Sequence, residues 1–266
     1  MYQTIKPPIH LGKYIDCFWL GDDESISDKP NSHHLIANSK IELLFFCDGI
    51  YSNKDKSGNL QKTFKAGFYG QTTDFDFYFS TAKKTRIFGI RFLPVASLTL
   101  FKLPASELTS ERIDITCILG NRGTELAEKI YGAHTFEQKS RIAIEFFSNR
   151  VKELHLKYQS VEKVILKIEQ ANISLLPQMI SQSYLSQRQF ERHFKELTGF
   201  SARTYLKLKR FEQFVETAST LKSAAEDKLI DIALEVGYYD QAHLNRHFKE
   251  FTGTSPTAYF RNSATQ

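Results

Sequence analysis

Arg188, Glu191, Arg192 and Lys195 stand at positions i, i+3, i+4 and i+7, and so do Ala242, Asn245, Arg246 and Lys249 further along the chain. On a helix each set shares one face, opposite Phe190, Phe194 and Leu197 in the first stretch and Leu244, Phe248 and Phe251 in the second. A face of Arg, Glu, Asn and Gln has the chemistry that reads base edges. Arg bonds O6 and N7 of guanine, Asn or Gln bonds adenine, and Glu accepts from N4 of cytosine. Lysines nearer the helix end suit phosphates, which position without specifying. The plain alternative is an amphipathic helix with a solvated charged face, and one copy alone does not decide between them.

Two copies do. Gln187–Tyr205 and Gln241–Tyr259 align at a constant offset of 54 residues. Arg192-His193-Phe194-Lys195-Glu196 recurs as Arg246-His247-Phe248-Lys249-Glu250, and Thr198, Gly199, Ser201 and Tyr205 recur as Thr252, Gly253, Ser255 and Tyr259. Ser186 and Asp240 stand at N-cap positions, while Gly199 and Gly253 follow the last helical turn, where a left-handed residue closes a helix. His193 and His247 fall between the two faces and read as packing or phosphate residues.

A short helix before each copy completes a helix-turn-helix unit: 175–182 before a turn at Ser183–Leu185, and Leu229–Val236 before a turn at Gly237–Tyr239. A helix over Thr204–Ala218 would join the units. Tyr184 lies in the first of these turns, where a positive φ would strain a residue with a side chain. Pro177 falls in the first turn of its helix, where it is tolerated.

Over 161–261 the chain resembles the AraC/XylS family of bacterial transcription regulators. The second copy carries the pattern most fully: Ile232-Ala233, Val236-Gly237-Tyr238, Asp240, Leu244, Arg246, Phe248-Lys249, Gly253, Ser255-Pro256, Tyr259 and Arg261. The first copy departs from it at Tyr184, where Gly is usual, and at Ile180, where Ala is usual. The resemblance implies that both recognition helices enter successive major-groove segments of double-stranded DNA, about 34 Å apart. Matching positions make Arg188, Glu191, Arg192, Gln241, Asn245 and Arg246 the base-reading candidates, with Ser186 at the first helix start. Lys195 and Lys249 become phosphate contacts, and Ala242 an apolar contact to a thymine methyl.

The first 115 or so residues have a different period. Lys40–Cys47, Thr63–Tyr69, Phe75–Phe79 and Thr85–Phe92 are short, aromatic or β-branched, and separated by turn residues such as Asp48-Gly49 and Gly70-Gln71. After Gly120 helical spacing takes over in Thr124–Tyr131 and Phe136–Leu156, a pair that could cover the sheet or form a dimer surface. The expected fold is an α+β N-terminal domain, an antiparallel β-sheet or barrel with packed helices, over 1–155. An all-α DNA-binding domain with two helix-turn-helix units follows over 161–262. Phe88-Gly-Ile-Arg-Phe-Leu-Pro94, Phe101-Lys-Leu-Pro104, Tyr14–Trp19 and Lys40–Phe46 resemble an N-terminal domain found in some uncharacterised members of the same family.

Composition sets outer bounds. The 266 residues are 41% hydrophobic and carry a net charge of +5, enough for two cores without staples. Lys and Arg number 16 against 13 Asp and Glu in residues 151–266, and 19 against 17 before them. Charge alone therefore does not locate the DNA-binding part. Cys17, Cys47 and Cys117 are scattered and match neither a disulfide framework nor a zinc site, so no cofactor or metal is expected. With no secretory segment and no apolar run near the length of a membrane span, a cytoplasmic protein is expected.

Glu42 and Arg91 are charged residues within apolar strands, suited to pairing with each other or to holding a polar effector. His33-His34 lacks the spacing of a metal site and reads as a surface or turn pair. The expected protein is a regulator, dimeric, modulated by a small-molecule effector or by dimerisation. RNA polymerase is a further possible partner. Two readings stay open beside it: an enzyme of the alkyl-transfer type fused to the same DNA-binding part, and a regulator with no effector.

Overall fold

The pattern along Ile41–Asp48 decides the architecture of the first half. Ile41, Leu43 and Phe45 belong to one large core, and Leu44 and Phe46 to a smaller one on the other face. A strand apolar on both faces must be covered twice. The computed structural model describes residues 2–24, 31–49, 51–54, 60–80, 82, 84–151, 158–170, 176–220 and 226–263.

Among the described residues ten strands form two antiparallel sheets: β1 (Tyr2–Ile5), β2 (Ile15–Glu24), β3 (Asn31–Leu35), β4 (Ile41–Asp48), β5 (Tyr51–Lys54), β6 (Leu60–Lys62), β7 (Ala66–Tyr69), β8 (Asp76–Ser80), β9 (Lys84–Phe92) and β10 (Arg112–Asp114). The first sheet runs β1-β2-β9-β4-β7-β10 and the second β3-β8-β5-β6. Tyr51 and Tyr78 of the second sheet close over Leu44, Phe46 and Tyr69 of the first. The other face of the first sheet is covered by α2 (Asn121–Gly132) and α3 (Phe136–Ser148), which follow the short α1 (Ile115–Leu119). Phe88 meets Phe136 and Phe92 meets Phe147 edge-on there. Thr135 and Gln138 form a capping box that starts α3. Lys139, itself buried, donates to the carbonyls of Ile130 and Ala133 and ties α3 to the end of α2.

Several expectations need correction. The helix expected over Phe136–Leu156 ends at Ser148, where a turn bond from the Arg150 N–H to the Phe147 carbonyl takes over; residues 152–157 lie outside the described ones. The strand expected from Thr63 begins at Ala66, the first residue here to pair with β4. His33 and His34 stand in β3 rather than in a turn. The helical pair covers the sheet.

Glu42 and Arg91 face each other across β4 and β9, and the Arg91 Nε donates to the Glu42 Oε1 at 2.8 Å. The Trp19 indole N–H donates to the same oxygen at 3.2 Å. The two charges that sequence leaves between pairing and ligand holding are paired with one another.

Seven helices follow among the described residues: α4 (Gln159–Glu169), α5 (Leu176–Ser183), α6 (Gln187–Thr198), α7 (Ala202–Ser219), α8 (Glu226–Glu235), α9 (Gln241–Thr252) and α10 (Pro256–Ser263). α7 is the spine. Its Phe211 packs on Phe248 and Phe251, and its Phe214 on Tyr238, Phe248 and Phe260. Apolar burial runs without a break from the sheet into this helical part. No helix among the described residues is long and apolar enough to cross a membrane.

The single Trp reports on the sheet. Trp19 pairs with Gly89, and a Cβ added there would lie 2.1 Å from the indole ring. Gly89→Ala should therefore displace the ring and cost about 1–3 kcal/mol, the usual cost of overpacking. Tryptophan emission and urea unfolding check this together; unchanged emission would mean that the ring does not rest on this glycine.

Candidate nucleic-acid interface

Each unit is built by the same local bonds. The Ser186 hydroxyl accepts from the Gln189 N–H, and the Gln189 side chain reaches back to the Ser186 N–H at 3.2 Å. Asp240 accepts from the His243 N–H at 2.7 Å. At the other end Gly199 (φ 82°) and Gly253 (φ 74°) close α6 and α9 in the left-handed region, donating to the Lys195 and Lys249 carbonyls. Thr198 and Thr252, both buried, each donate to a carbonyl four residues back at 2.8 Å and accept from the N–H two residues on at 3.2 Å. Ser201 and Ser255 then cap α7 and α10, accepting from the Thr204 and Ala258 N–H groups. Tyr205 closes edge-on over Phe194, and Tyr259 over Phe248, each with centroids 5.4 Å apart. The residues that recur in sequence recur in role.

The turns differ as the sequence indicates. Gly237 takes φ 90° in the second unit, whereas Tyr184 takes φ 55° in the first, a region that is costly for a residue with a Cβ. The Tyr184 side chain is 94% exposed, and Tyr239, in the second turn, is 86% exposed. Sequence reasoning treats Tyr184 as a strained turn residue and passes over Tyr239. The signal was present in both, an aromatic ring in a turn with no apolar periodicity to bury it.

Arg188, Arg192 and Lys195 are exposed on α6, as are Ala242, Asn245, Arg246 and Lys249 on α9. Ser186 is exposed at its cap, and Gln241 is half-buried at the start of α9. The apolar faces are buried as expected: Phe190, Phe194 and Leu197, and Leu244, Phe248 and Phe251. Tyr239, Asp240, Ala242, His243 and Arg246 line a shallow depression at the start of α9.

Glu191 departs from the expected pattern. It is half-buried, and its Oε2 accepts from the Ala202 N–H at 3.2 Å, at the first residue of α7. The same position in the second unit is Pro256, which has no N–H, and there Asn245 is exposed.

Neither repeated histidine lies among the outward residues. His193 is buried edge-on to Tyr158, whose hydroxyl donates to Glu196 at 2.6 Å. His247 is half-buried beside His243, Tyr238 and Phe251. Burial and the nearby Lys207 charge lower its pKa to about 4. Lys207 also pairs with Glu250 at 2.7 Å, fastening α9 to α7. Among the described residues no cluster of three or more His, Cys, Asp or Glu could hold a metal ion.

A pair of short helices joined by a tight turn, the second capped at both ends and carrying outward cations, defines a helix-turn-helix DNA-binding protein. Residues 181–262 match the family described as Helix-turn-helix domain, and residues 3–114 match Domain of unknown function DUF6597. The chain carries a DNA-binding domain of the AraC type, preceded by a domain whose family has no assigned function, and is a DNA-binding transcription regulator.

Its fold is that of ToxT from Vibrio cholerae. The structure from strain O395 covers 98% of this chain and 97% of that one at 12% identity, with a TM-score of 0.50. A P21 crystal form covers 92% and 98% at 13% identity, TM-score 0.51. A third ToxT structure, bound to (E)-4-(8-methylnaphthalen-1-yl)but-3-enoic acid, covers 91% and 98% at 12% identity, TM-score 0.50. No curated protein matches the chain by sequence.

The histidine sets a pH dependence. The folded state holds His247 neutral to about pH 4, while an unfolded His titrates near 6.5. The unfolded chain then binds the extra proton first, so stability present above about pH 6.5 is lost as the pH falls toward 4. In His247→Asn the thermal midpoint should decline less between about pH 6.5 and 5, above the carboxylate range. Parallel declines in variant and wild type would show that His247 does not carry the effect.

Proposed function

We propose that this regulator reads double-stranded DNA with α6 and α9 in successive major-groove segments. What carries the reading is the duplicated outward face: two helices with matching caps, each presenting exposed Arg and Lys away from a buried Phe-rich face. Arg188 and Arg192 on α6, and Gln241, Asn245 and Arg246 on α9, contact bases, and Ala242 meets a thymine methyl. Glu191 shares its carboxylate between α7 and a cytosine. Lys195 and Lys249, in the last helical turns, contact phosphates, with Ser186 at the start of α6.

We take 1–155 and 161–262 as the two domains, the first acting as the modulating part through an effector or a homodimer contact. The binding of a small carboxylic acid by ToxT supports an effector. Burial raises the thiol pKa values of Cys17 and Cys47, the opposite of what alkyl transfer to a thiolate requires. The unpaired thiols fit a reducing cytoplasm.

Two variants separate reading from positioning. Arg246→Ala should weaken the best site by about 1–3 kcal/mol and relax the preference at one base pair. Site selection from a randomised duplex pool measures this, and a uniform loss over all sequences would make Arg246 a backbone contact. Lys249→Ala should weaken all duplexes alike and reduce the slope of log K against log salt by about one. A salt titration with an unchanged slope would remove Lys249 from the phosphate contacts.

A further inference from the structure

Two segments of the N-terminal domain reach the helical part together. Ala37–Lys40 precedes β4, and Gln71–Phe75 precedes β8. They are tied to each other by reciprocal backbone bonds of 2.9 Å between Asn38 and Thr72.

From this tied pair contacts go to both recognition helices and to the spine between them. The Ala37 N–H donates to the Phe251 carbonyl in the last turn of α9 at 3.1 Å. The Phe75 ring lies over Gly253, the residue that ends α9; a Cβ there would stand 2.5 Å from the ring. Gln71, fully buried, lies over Gly199, the residue that ends α6, where a Cβ would stand 1.8 Å from its Nε2. The Gln71 amide is held in place by the Ala105 carbonyl at 2.7 Å and by Thr109 at 2.9 Å. Ser39 donates through its N–H and its hydroxyl to the Glu212 carboxylate of α7, the hydroxyl at 2.9 Å. The two helix-ending glycines, equivalent in the repeat, are thus covered by residues four apart on one loop.

Resting on the reading of α6 and α9 as the DNA-contacting helices, we propose that this loop pair is a gauge: it fixes the separation of the two recognition helices, and with it the spacing of the base segments the regulator accepts. Ser39, Gln71 and Phe75 are its positioning residues. One base pair of altered spacing moves a segment by about 3.4 Å along the axis and about 35° around it. A helix pair pinned at both C-terminal ends by one bridged loop cannot follow that displacement without breaking the contacts to Gly199 or Gly253. α7 bears on the same two helices, through Tyr205 on Phe194 and through Phe211 on Phe248. The gauge removes the freedom left in this single connection.

The test uses the full chain. Wild-type protein first selects sites from a randomised duplex pool, and the best site is then rebuilt with one or two base pairs added or removed between its segments. Wild type should lose roughly tenfold or more in affinity at a one-pair change, the scale of a mismatch. The Ser39→Ala/Phe75→Ala double variant should lose at most about threefold, keeping the same base preferences within each segment. Glu212→Gln, which keeps the side-chain shape and removes its charge, should broaden the spacing profile in the same direction, and it serves if the double variant does not fold. A folded variant with the wild-type spacing profile would overturn the gauge and leave α7 as the element that sets the separation. Failure of wild type to select any shared sequence would instead overturn the DNA-reading assignment itself.

Discussion

Glu212 is a half-buried carboxylate in the middle of α7, its side chain 22% exposed, and drawing such a charge out of water is costly unless it is paired and hydrogen-bonded. Lys209, one helical turn before it, lies 2.9 Å away, and Ser39 supplies two donors from the other half of the molecule. Burial alone would raise the carboxyl pKa, but Lys209, the Ser39 N–H and Lys40 outweigh it and hold Glu212 below the ordinary carboxylate value. Lys209 in turn reaches Glu169 of α4 at 3.1 Å, and Lys40 pairs with Asp16 at 2.8 Å. Burial opposes the charge on Lys209 as well, yet its two carboxylate partners push its pKa above the usual lysine value. The knot joins the segment before β4, β2, α4 and α7. Docking of the two halves thus supplies Glu212 with the two Ser39 donors.

Around that knot the recognition surface is assembled by repetition. Each unit uses a polar cap, an apolar triad, a Thr-Gly ending and a Tyr on the following helix. These parts depend on neighbours within about twenty residues, so a unit carries its own instructions for shape. Orientation of one unit against the other depends on longer connections: the aromatic stack along α7, the Lys207–Glu250 pair, and the N-terminal loops at Gly199 and Gly253.

This division explains what could be read from the chain before its structure. Caps, glycine endings and helix faces are local and periodic, and both recognition helices begin and end where Ser186, Asp240, Gly199 and Gly253 place them. The left-handed turn at Tyr184 was legible from the missing glycine. The central strands β4 and β9 were legible as apolar runs, whereas β1, β3, β5 and β6 lack a run long enough to stand out. The end of the helix over Phe136–Ser148 was missed because apolar spacing continues past the residues that close it. Ser39 and Glu212 are 173 positions apart, and no period in the sequence connects them. For Glu191 the outward position was legible, but its bond to Ala202 depends on how α7 folds back on α6.

The contrast between Ala202 and Pro256 bears on how the two halves of a duplicated reader can diverge. An amide hydrogen at Ala202 must be answered, and Glu191 answers it, so a change at that side chain alters helix capping together with any contact to DNA. Pro256 has no such hydrogen, and Asn245 owes nothing to the backbone there. If these positions contact bases as proposed, a change at Asn245 leaves the helix start undisturbed, whereas a change at Glu191 does not. A single pyrrolidine ring, at Pro256, leaves Asn245 without the backbone partner that Glu191 has in Ala202.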